Sequence, residues 1–169
     1  MEQIFAPDKI SQEWGSHLPA LIACVSACDG PMLEIGCGHY STPCLHAICA
    51  VQGKQLITLE VEDSWRNQFA RYKASFHYLT KQTEDVLREC AQKKWGVVFV
   101  DDLAGSRASR AEMFFDSADF MLFHDCNFPQ FAPALSSWLD SHPCNFRRYD
   151  AYSPHTLIVS KTREIPDFF

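Results

Sequence analysis

The chain of 169 residues lacks the features that mark several large classes of protein. No apolar run approaches the roughly 20 residues that a membrane-spanning helix needs, and no signal peptide precedes the first predicted helix. Acidic residues outnumber basic ones by 21 to 15, and the basic residues are scattered, so the sequence does not predict a nucleic-acid-binding surface. We therefore expect a cytoplasmic protein with neither a nucleic-acid nor a membrane partner.

The chain also lacks C-x2-C pairs, the spacing typical of structural zinc sites, although it contains eight cysteines. The densest group of potential metal ligands is His39, Cys44, His46 and Cys49. Because Cys44 and Cys49 are five residues apart on a predicted helix, they do not share a face. With 47% hydrophobic residues the chain can bury a core without disulfides, so we predict reduced thiols and no zinc.

Hydrophobic periodicity and turn residues predict alternating strands and helices. Strands are expected at residues 32–35, 56–60, 76–79, 97–101 and 120–124, followed by a closing pair at 146–149 and 156–160. Helices are expected at residues 19–28 (with a start as early as 12), 43–51, 84–92 and 108–116. Two more are expected: one capped by Asp63, with Trp65, Phe69 and Tyr72 on one side, and one that carries Phe131, Leu135, Trp138 and Leu139 and ends near Ser141.

This order of elements predicts the fold class. Strands that alternate with helices form parallel, doubly wound sheets, and the closing pair supplies an antiparallel strand. We predict one α/β domain over residues 1–169, with a mostly parallel seven-stranded sheet, helices on both faces and a C-terminal antiparallel hairpin.

The most informative segment is Leu33-Glu34-Ile35-Gly36-Cys37-Gly38-His39-Tyr40-Ser41-Thr42-Pro43. It predicts a buried strand that ends in an acid, a glycine turn, and a helix with Thr42 as N-cap and Pro43 as its first residue. A carboxylate at position 34 suits a ligand with ammonium and sulfonium charges and would repel a dinucleotide pyrophosphate. Tyr40 and Ser41 also fit the dinucleotide fingerprint poorly, which disfavours an oxidoreductase.

This segment resembles the first motif, acid-x-Gly-x-Gly, of the class I (Rossmann-like) S-adenosylmethionine-dependent methyltransferases. It is most similar to small-molecule O-methyltransferases, whose loop continues into Ser-Thr, and further short motifs extend the resemblance to about Asp125. Here two residues, His39 and Tyr40, stand where those relatives have one. The resemblance implies S-adenosylmethionine as cofactor, and we predict that its site includes Glu34, Gly36, Cys37, Gly38, Ser41, Glu60, Val61, Asp85 and Asp101.

Two of these residues have alternatives. Glu60 ends the second predicted strand, where the resemblance implies an acid that accepts both ribose hydroxyls, a task that suits the two oxygens of a carboxylate. Glu62 or Asp63 could serve instead. Asp85 follows the third strand, where relatives often contact the adenine amino group. Its alternative role is capping, because acids favour the first turn of any helix.

Asp101, His124 and Asp125 end the fourth and fifth predicted strands and are the candidate catalytic residues. In cation-dependent O-methyltransferases, which the chain partly resembles, such acids bind a divalent metal with a following Asn. Here Asn127 is offset by one position, so we expect metal-free acids more than a site of Asp101, Asp125 and Asn127.

Phe123-His124-Asp125 also resembles the His-Asp of small-molecule and sugar O-methyltransferases, including those that methylate glucuronic acid in polysaccharides. His124 could serve as a general base or could anchor the sheet to a helix. Because adjacent side chains on a strand diverge, we expect only one of His124 and Asp125 to face the site.

These residues favour an O-methyltransferase that acts on a small molecule or a sugar. The alternative is a catalytically degenerate relative that works as a binding module through a partner. The sequence predicts neither the acceptor nor the oligomeric state.

Overall fold

The computed structural model describes residues 12–103, 105–130 and 132–167. The strands of this part of the chain are β1 (Met32–Ile35), β2 (Leu56–Glu60), β3 (His77–Lys81), β4 (Trp95–Val100), β5 (Ala118–Phe123), β6 (Asn145–Tyr149) and β7 (Thr156–Ser160). Its α-helices are α1 (Leu18–Ser26), α2 (Ser41–Gln52), α3 (Asp63–Gln68), α4 (Glu84–Ala91), α5 (Arg107–Phe114) and α6 (Ala132–Ser141). Short 3-10 helices lie at Gln12–Gly15 and Ala70–Tyr72.

All the strands belong to one sheet in the order β3-β2-β1-β4-β5-β7-β6. The first five in this order pair in parallel, whereas β7 is antiparallel to both β5 and β6. This confirms the predicted fold class. The strand order reverses between β1 and β4, so a crevice is expected at the carboxyl ends of these two strands.

Helices cover both faces of the sheet because its central strands are apolar on both sides. Along β4, Val98 and Val100 pack into a core that includes side chains of α4, α5 and α6. Val97 and Phe99 point the opposite way, into a core formed with α1 and α2. None of the described helices has the length and apolar character that crossing a membrane requires.

The element bounds differ from the predicted ones by no more than two residues, but three local predictions are wrong. The N-cap of α2 is Tyr40, because Thr42 turns its hydroxyl inward to Glu34. The N-cap of α3 is Glu62, whose side chain accepts from the Ser64 N–H, and not Asp63. The helix predicted to carry Trp65, Phe69 and Tyr72 is interrupted at Phe69, the C-cap of α3.

Two predictions involve residues outside the part of the chain that the structure describes. Phe131, predicted on the last helix, lies outside them, and so do the ends of the predicted domain 1–169. The single domain therefore stays a prediction. The helix expected to start as early as Gln12 is a separate 3-10 helix followed by α1, with Pro19 in the first turn of α1 as predicted.

Candidate functional site

Gly36 joins β1 to the loop that precedes α2. Its φ of +91° lies in the region that favours glycine. A Cβ at this position would also collide with the carbonyl oxygen of Asp101, because the loop passes close to the end of β4. Glycine is thus required at position 36 both by backbone conformation and by close packing at the point where the strand order reverses.

Glu34 lies beneath this loop and is fully buried. Its carboxylate accepts hydrogen bonds from the Thr42 hydroxyl at 3.0 Å and the Thr58 hydroxyl at 2.7 Å. Thr42 Oγ1 in turn accepts from the Gly38 N–H at 3.0 Å. Burial raises the pKa of Glu34 to about 7. The structure therefore corrects the expectation that Glu34 faces a cationic ligand, since its carboxylate shapes the loop from below.

The loop contains two residues, His39 and Tyr40, where the related O-methyltransferases have one. His39 packs in an aromatic cluster. Its ring is parallel to that of Trp14, with centroids 6.3 Å apart, and meets Trp65 edge-on at 5.1 Å. Trp65 also donates from Nε1 to the Cys37 carbonyl oxygen at 2.7 Å. The longer loop is therefore held in place by aromatic contacts.

Glu60 ends β2 beside the same loop and is buried. One carboxylate oxygen accepts from the Cys37 N–H at 3.1 Å, and the other accepts from the Glu62 N–H at 2.9 Å. Since each carboxylate oxygen can accept more than one hydrogen bond, this pairing leaves Glu60 further acceptor capacity.

Asp101, His124 and Asp125 come together at the ends of β4 and β5. Their nearest ligand atoms all lie within 4.8 Å of one another, the only such His/Cys/Asp/Glu group found among the described residues. His124 Nδ1 is 3.2 Å from Asp101 Oδ2 and 3.6 Å from Asp125 Oδ1. The residues His39, Cys44, His46 and Cys49, for which the sequence predicts no metal, do not form such a cluster.

The expectation that only one of His124 and Asp125 faces the site is wrong. β5 ends at Phe123, so the alternation of side chains along a strand no longer applies to these two residues. Asp125 has a φ of +61°, a left-handed conformation that Asp tolerates better than most residues. Strained backbone of this kind is often found at functional sites.

The hydrogen bonds of His124 determine where its ring carries protons. Ser16 Oγ donates to the Pro154 carbonyl oxygen at 2.6 Å, so it can only accept from His124 Nε2, which is 3.0 Å away. Nε2 is therefore protonated, and Nδ1 faces the carboxylates. Both nitrogens are thus engaged within the protein, and the ring is 4% exposed.

Arg107, at the start of α5, supplies positive charge to the cluster. Its Nη2 lies 3.3 Å from Asp101 Oδ1 and 3.6 Å from Asp125 Oδ2. Other guanidinium nitrogens donate to backbone carbonyls, including that of Leu103 at 3.0 Å. The side chain is almost fully buried, so it is fixed beneath the two acids.

A cavity of about 520 Å³ connects the glycine loop to this cluster. Six of the predicted site residues line it: Cys37, Gly38, Ser41, Asp101, His124 and Asp125. The remaining lining residues are mostly aromatic or come from the amino-terminal segment: Trp14, His17, His39, Tyr40, Trp65, Phe128 and Pro154.

Comparison with known proteins gives structural relatives only. No protein-family model matches the sequence, and no curated protein matches it. A Podospora anserina methyltransferase, PaMTH1, with bound SAH (S-adenosylhomocysteine), has a TM-score of 0.68 and 14% identity, covering 96% of this chain and 84% of its own. A Bacillus cereus O-methyltransferase in complex with SAH has a TM-score of 0.64 and 15% identity, covering 95% of this chain and 86% of its own.

A third solved structure shares the fold and contains the methyl donor itself. Fibrillarin from Aeropyrum pernix, with natively bound S-adenosyl-L-methionine, has a TM-score of 0.60 and 9% identity, covering 86% of this chain and 76% of its own. The chain has the class I methyltransferase fold. The fold implied by the sequence resemblance is therefore confirmed.

The other predicted site residues are not part of the cavity lining: Glu34, Gly36, Glu60, Val61, Asp85 and Asn127. Glu34, Gly36 and Glu60 nevertheless belong to the glycine loop or contact it. Val61 follows Glu60 and is 37% exposed. Asp85 is in the first turn of α4, in an exposed ion pair with Arg88. The Asn127 side chain accepts from the His155 N–H at 2.7 Å, which engages the amide oxygen that a metal would need.

Sequence reasoning missed several residues at the site. Trp14, Ser16 and His17 come from a segment without a motif, and nothing in its local pattern places it over the cavity. Arg107 had a signal, because it lies on the helix face that also carries the apolar Ala111 and Phe114. Gln82, three residues before the predicted Asp85, is buried with its Oε1 unpaired among the described residues.

Proposed function

We propose that the protein transfers a methyl group from S-adenosylmethionine to a hydroxyl oxygen of a small molecule or sugar. The observation that carries this proposal is that one cavity has the glycine loop at one end and Asp101, His124 and Asp125 at the other. Such a transfer requires a methyl donor and an acceptor to be aligned next to a group that can take a proton.

The residues around the loop fit the cofactor chemically. The backbone N–H groups of His39 and Tyr40 precede α2 and find no acceptor among the described residues, which suits the cofactor's carboxylate. Glu60 has acceptor capacity for the ribose hydroxyls. Gln82 Oε1 is unpaired among the described residues and is a suitable acceptor for the adenine amino group. The Gln82 N–H donates to the Glu60 carbonyl oxygen, so Gln82 lies beside Glu60 and near the apolar Val61 that follows it. When bound, S-adenosylmethionine supplies a methyl group on a positively charged sulfur.

We assign the role of base to Asp125. Burial raises the pKa of its carboxyl above the usual range, despite the opposing charges of His124 and Arg107. Burial also acts on Asp101, but the hydrogen bond from His124 and the charges of His124 and Arg107 hold its pKa below the usual range. The Asp125 carboxylate is therefore the better proton acceptor. His124, with both nitrogens engaged, is a positioning residue that orients the two acids.

The same geometry favours a metal-free mechanism. A divalent cation bound by Asp101 and Asp125 would have to share both carboxylates with the Arg107 guanidinium, and like charges at such distances repel. Arg107 already offsets the negative charge that would otherwise attract a metal.

Isothermal titration with S-adenosylmethionine and SAH tests the proposal. We expect wild-type protein to bind both and Glu60→Ala to bind much more weakly while remaining folded. Glu89→Ala, which removes an exposed acid on α4, is the matched control and should bind like wild type. No binding by a folded wild-type sample would favour the binding-module alternative. Tight binding of a nicotinamide cofactor would contradict the assignment of the cofactor.

A further inference from the structure

His17 borders the cavity but has no partner for either of its ring nitrogens among the described residues. The side chain is 2% exposed, so bulk solvent does not supply the missing hydrogen bonds. A buried polar group without a partner destabilises a folded protein and calls for an explanation.

Among the described residues, the neighbours of His17 offer no free polar group, which leaves the cavity as the source of a partner. The ring packs against Phe99 with centroids 4.7 Å apart and against His124 with centroids 4.6 Å apart. Phe99 has no polar atom, and both nitrogens of His124 are already engaged, with Ser16 and with the carboxylates. A bound molecule in the cavity would supply what the protein does not.

His17 is uncharged at physiological pH, since burial and the nearby charge of His124 lower its pKa to about 3. A neutral imidazole has one N–H donor and one acceptor nitrogen. A hydroxyl group, which can accept from the N–H or donate to the other nitrogen, is therefore a suitable partner for one of the two ring nitrogens.

The charges that line the cavity indicate which chemical class of acceptor it suits. Asp101 and Asp125 line it, whereas no Lys or Arg appears among the described residues that do. Arg107 is buried beneath the acids and engaged with them. Trp14 and Phe128, at 46% and 37% exposure, add aromatic surfaces to the wall that can pack against a ring.

We propose that His17 binds the methyl acceptor through a hydroxyl that is not itself methylated, and that the preferred acceptor is an uncharged ring compound with at least two hydroxyls. This inference rests on the proposed function and deepens it. It disfavours anionic acceptors, including the uronic acids that the sequence resemblance brings into consideration.

Ligand-observed NMR with SAH-loaded protein tests the proposal through binding rather than turnover. The probes are two matched pairs, methyl glucoside with methyl glucuronide and catechol with protocatechuate, which differ within each pair by a carboxylate. We expect at least one uncharged probe to bind better than its anionic partner, and the pair that responds identifies a sugar or an aromatic acceptor.

The variants separate a binding role from a structural one. His17→Phe should weaken binding of the uncharged probe roughly tenfold, the effect of about one hydrogen bond, while the melting temperature stays constant or rises by roughly 2–4 °C because an unpaired buried group is removed. His17→Gln should restore part of the affinity. His142→Phe is the matched control and should bind like wild type, because His142 follows α6, stacks on Trp138 and does not line the cavity.

Several results would overturn the inference. One is equal affinity of His17→Phe and wild type for the uncharged probes, which would mean that His17 is satisfied by a water or by nothing. Another is preference for the anionic member of each pair, or no binding of any probe by SAH-loaded protein. If His17→Phe does not fold, the wild-type protein provides the test through the NMR chemical shifts of the His17 ring nitrogens. These shifts must change when the uncharged probe is added, and unchanged shifts would contradict the proposal. Failure to bind SAH itself would instead contradict the proposed function.

Discussion

Asp101 and Asp125 contact the same histidine and the same arginine, yet their environments differ. Asp101 has the shorter contacts, at 3.2 Å to His124 and 3.3 Å to Arg107, while both contacts of Asp125 are 3.6 Å. The closer pairing stabilises the ionised form of Asp101 more strongly. Two neighbouring carboxylates with different proton affinities can thus divide the work, one as an anchor and the other as a base.

Replacing Asp125 tests this division. With an acceptor in hand, Asp125→Asn should lower turnover by roughly 10²–10⁴-fold with little change in cofactor affinity, because only the transfer of the acceptor's proton is affected. The kcat/KM of wild type should rise with pH across the raised pKa of Asp125, since the base must be ionised, and the Asn variant should lose this rise. If His124→Ala is the worst variant instead, the histidine is the base; full activity in Asp101, His124 and Asp125 variants would place the site elsewhere.

The position of Arg107 predicts how the protein responds to metal removal. Dialysis against a chelator should leave turnover and melting temperature unchanged, because the guanidinium already pairs with both carboxylates. Addition of magnesium or manganese afterwards should also have no effect. Loss of activity with chelator, restored by either ion, would show that Asp101 and Asp125 hold a metal.

At the scale of whole elements, Glu34 links the central strands to α2. Thr58 on β2 donates to Glu34, so its oxygen accepts from His77 Nε2 on β3 at 2.9 Å. Burial lowers the pKa of His77 to about 4, which keeps it neutral and leaves Nδ1 to accept from His46 on α2 at 3.0 Å. A chain of polar side chains therefore runs from the glycine loop through the apolar core to α2.

This buried carboxylate predicts a particular pH dependence of stability. The pKa of Glu34 is raised from its ordinary value of 4.5 to about 7, so its contribution to folding is fully present below about pH 4.5 and is lost as the pH rises through 7. The shift corresponds to about 3 kcal/mol at most.

The matched variant is Glu34→Gln, which keeps the shape and cannot ionise. Denaturant unfolding at pH 5 and pH 8 should show wild type losing up to about 3 kcal/mol relative to the variant. Other groups titrate in both proteins, so the difference isolates Glu34. Equal pH dependence in the two proteins would contradict this account of the network.

The elements themselves could be predicted because they depend on local patterns. Local signals such as the apolar runs of β4 and β5 and the glycine after α2 act on neighbouring residues. The predicted bounds of these elements agree with the observed ones within two residues. The role of Thr42 could not be predicted from the sequence, because its hydroxyl can either cap α2 or donate to Glu34 on β1. That choice depends on a tertiary contact, which overrides the local preference.

For the molecule as a whole, topology gathers the site from distant parts of the chain. The carboxyl ends of β1, β2, β4 and β5 converge where the strand order reverses, which is why acids at strand ends could be expected to meet there. Ser16 and Pro154 are 138 residues apart, yet they bond to each other beside His124. No spacing rule predicts such a pair, so this side of the cavity could not be predicted.

The cysteines provide a separate test at this scale. All eight lie among the described residues as free thiols, and burial raises the pKa of several, including Cys28, Cys49 and Cys126, to about 11. Thiol counting should therefore give few reactive groups in the folded protein and eight after denaturation without reductant, and elemental analysis should show no zinc. Stoichiometric zinc that disappears in Cys44 or Cys49 variants would overturn this expectation.

The most direct test of the central proposal is a crystal structure of the protein grown with saturating SAH. We predict SAH in the cavity above Gly36, with its ribose hydroxyls at Glu60 and its sulfur directed toward the end of the cavity that holds Asp125. Crystals in which that cavity holds no SAH, or in which SAH binds elsewhere on the protein, would contradict the proposal.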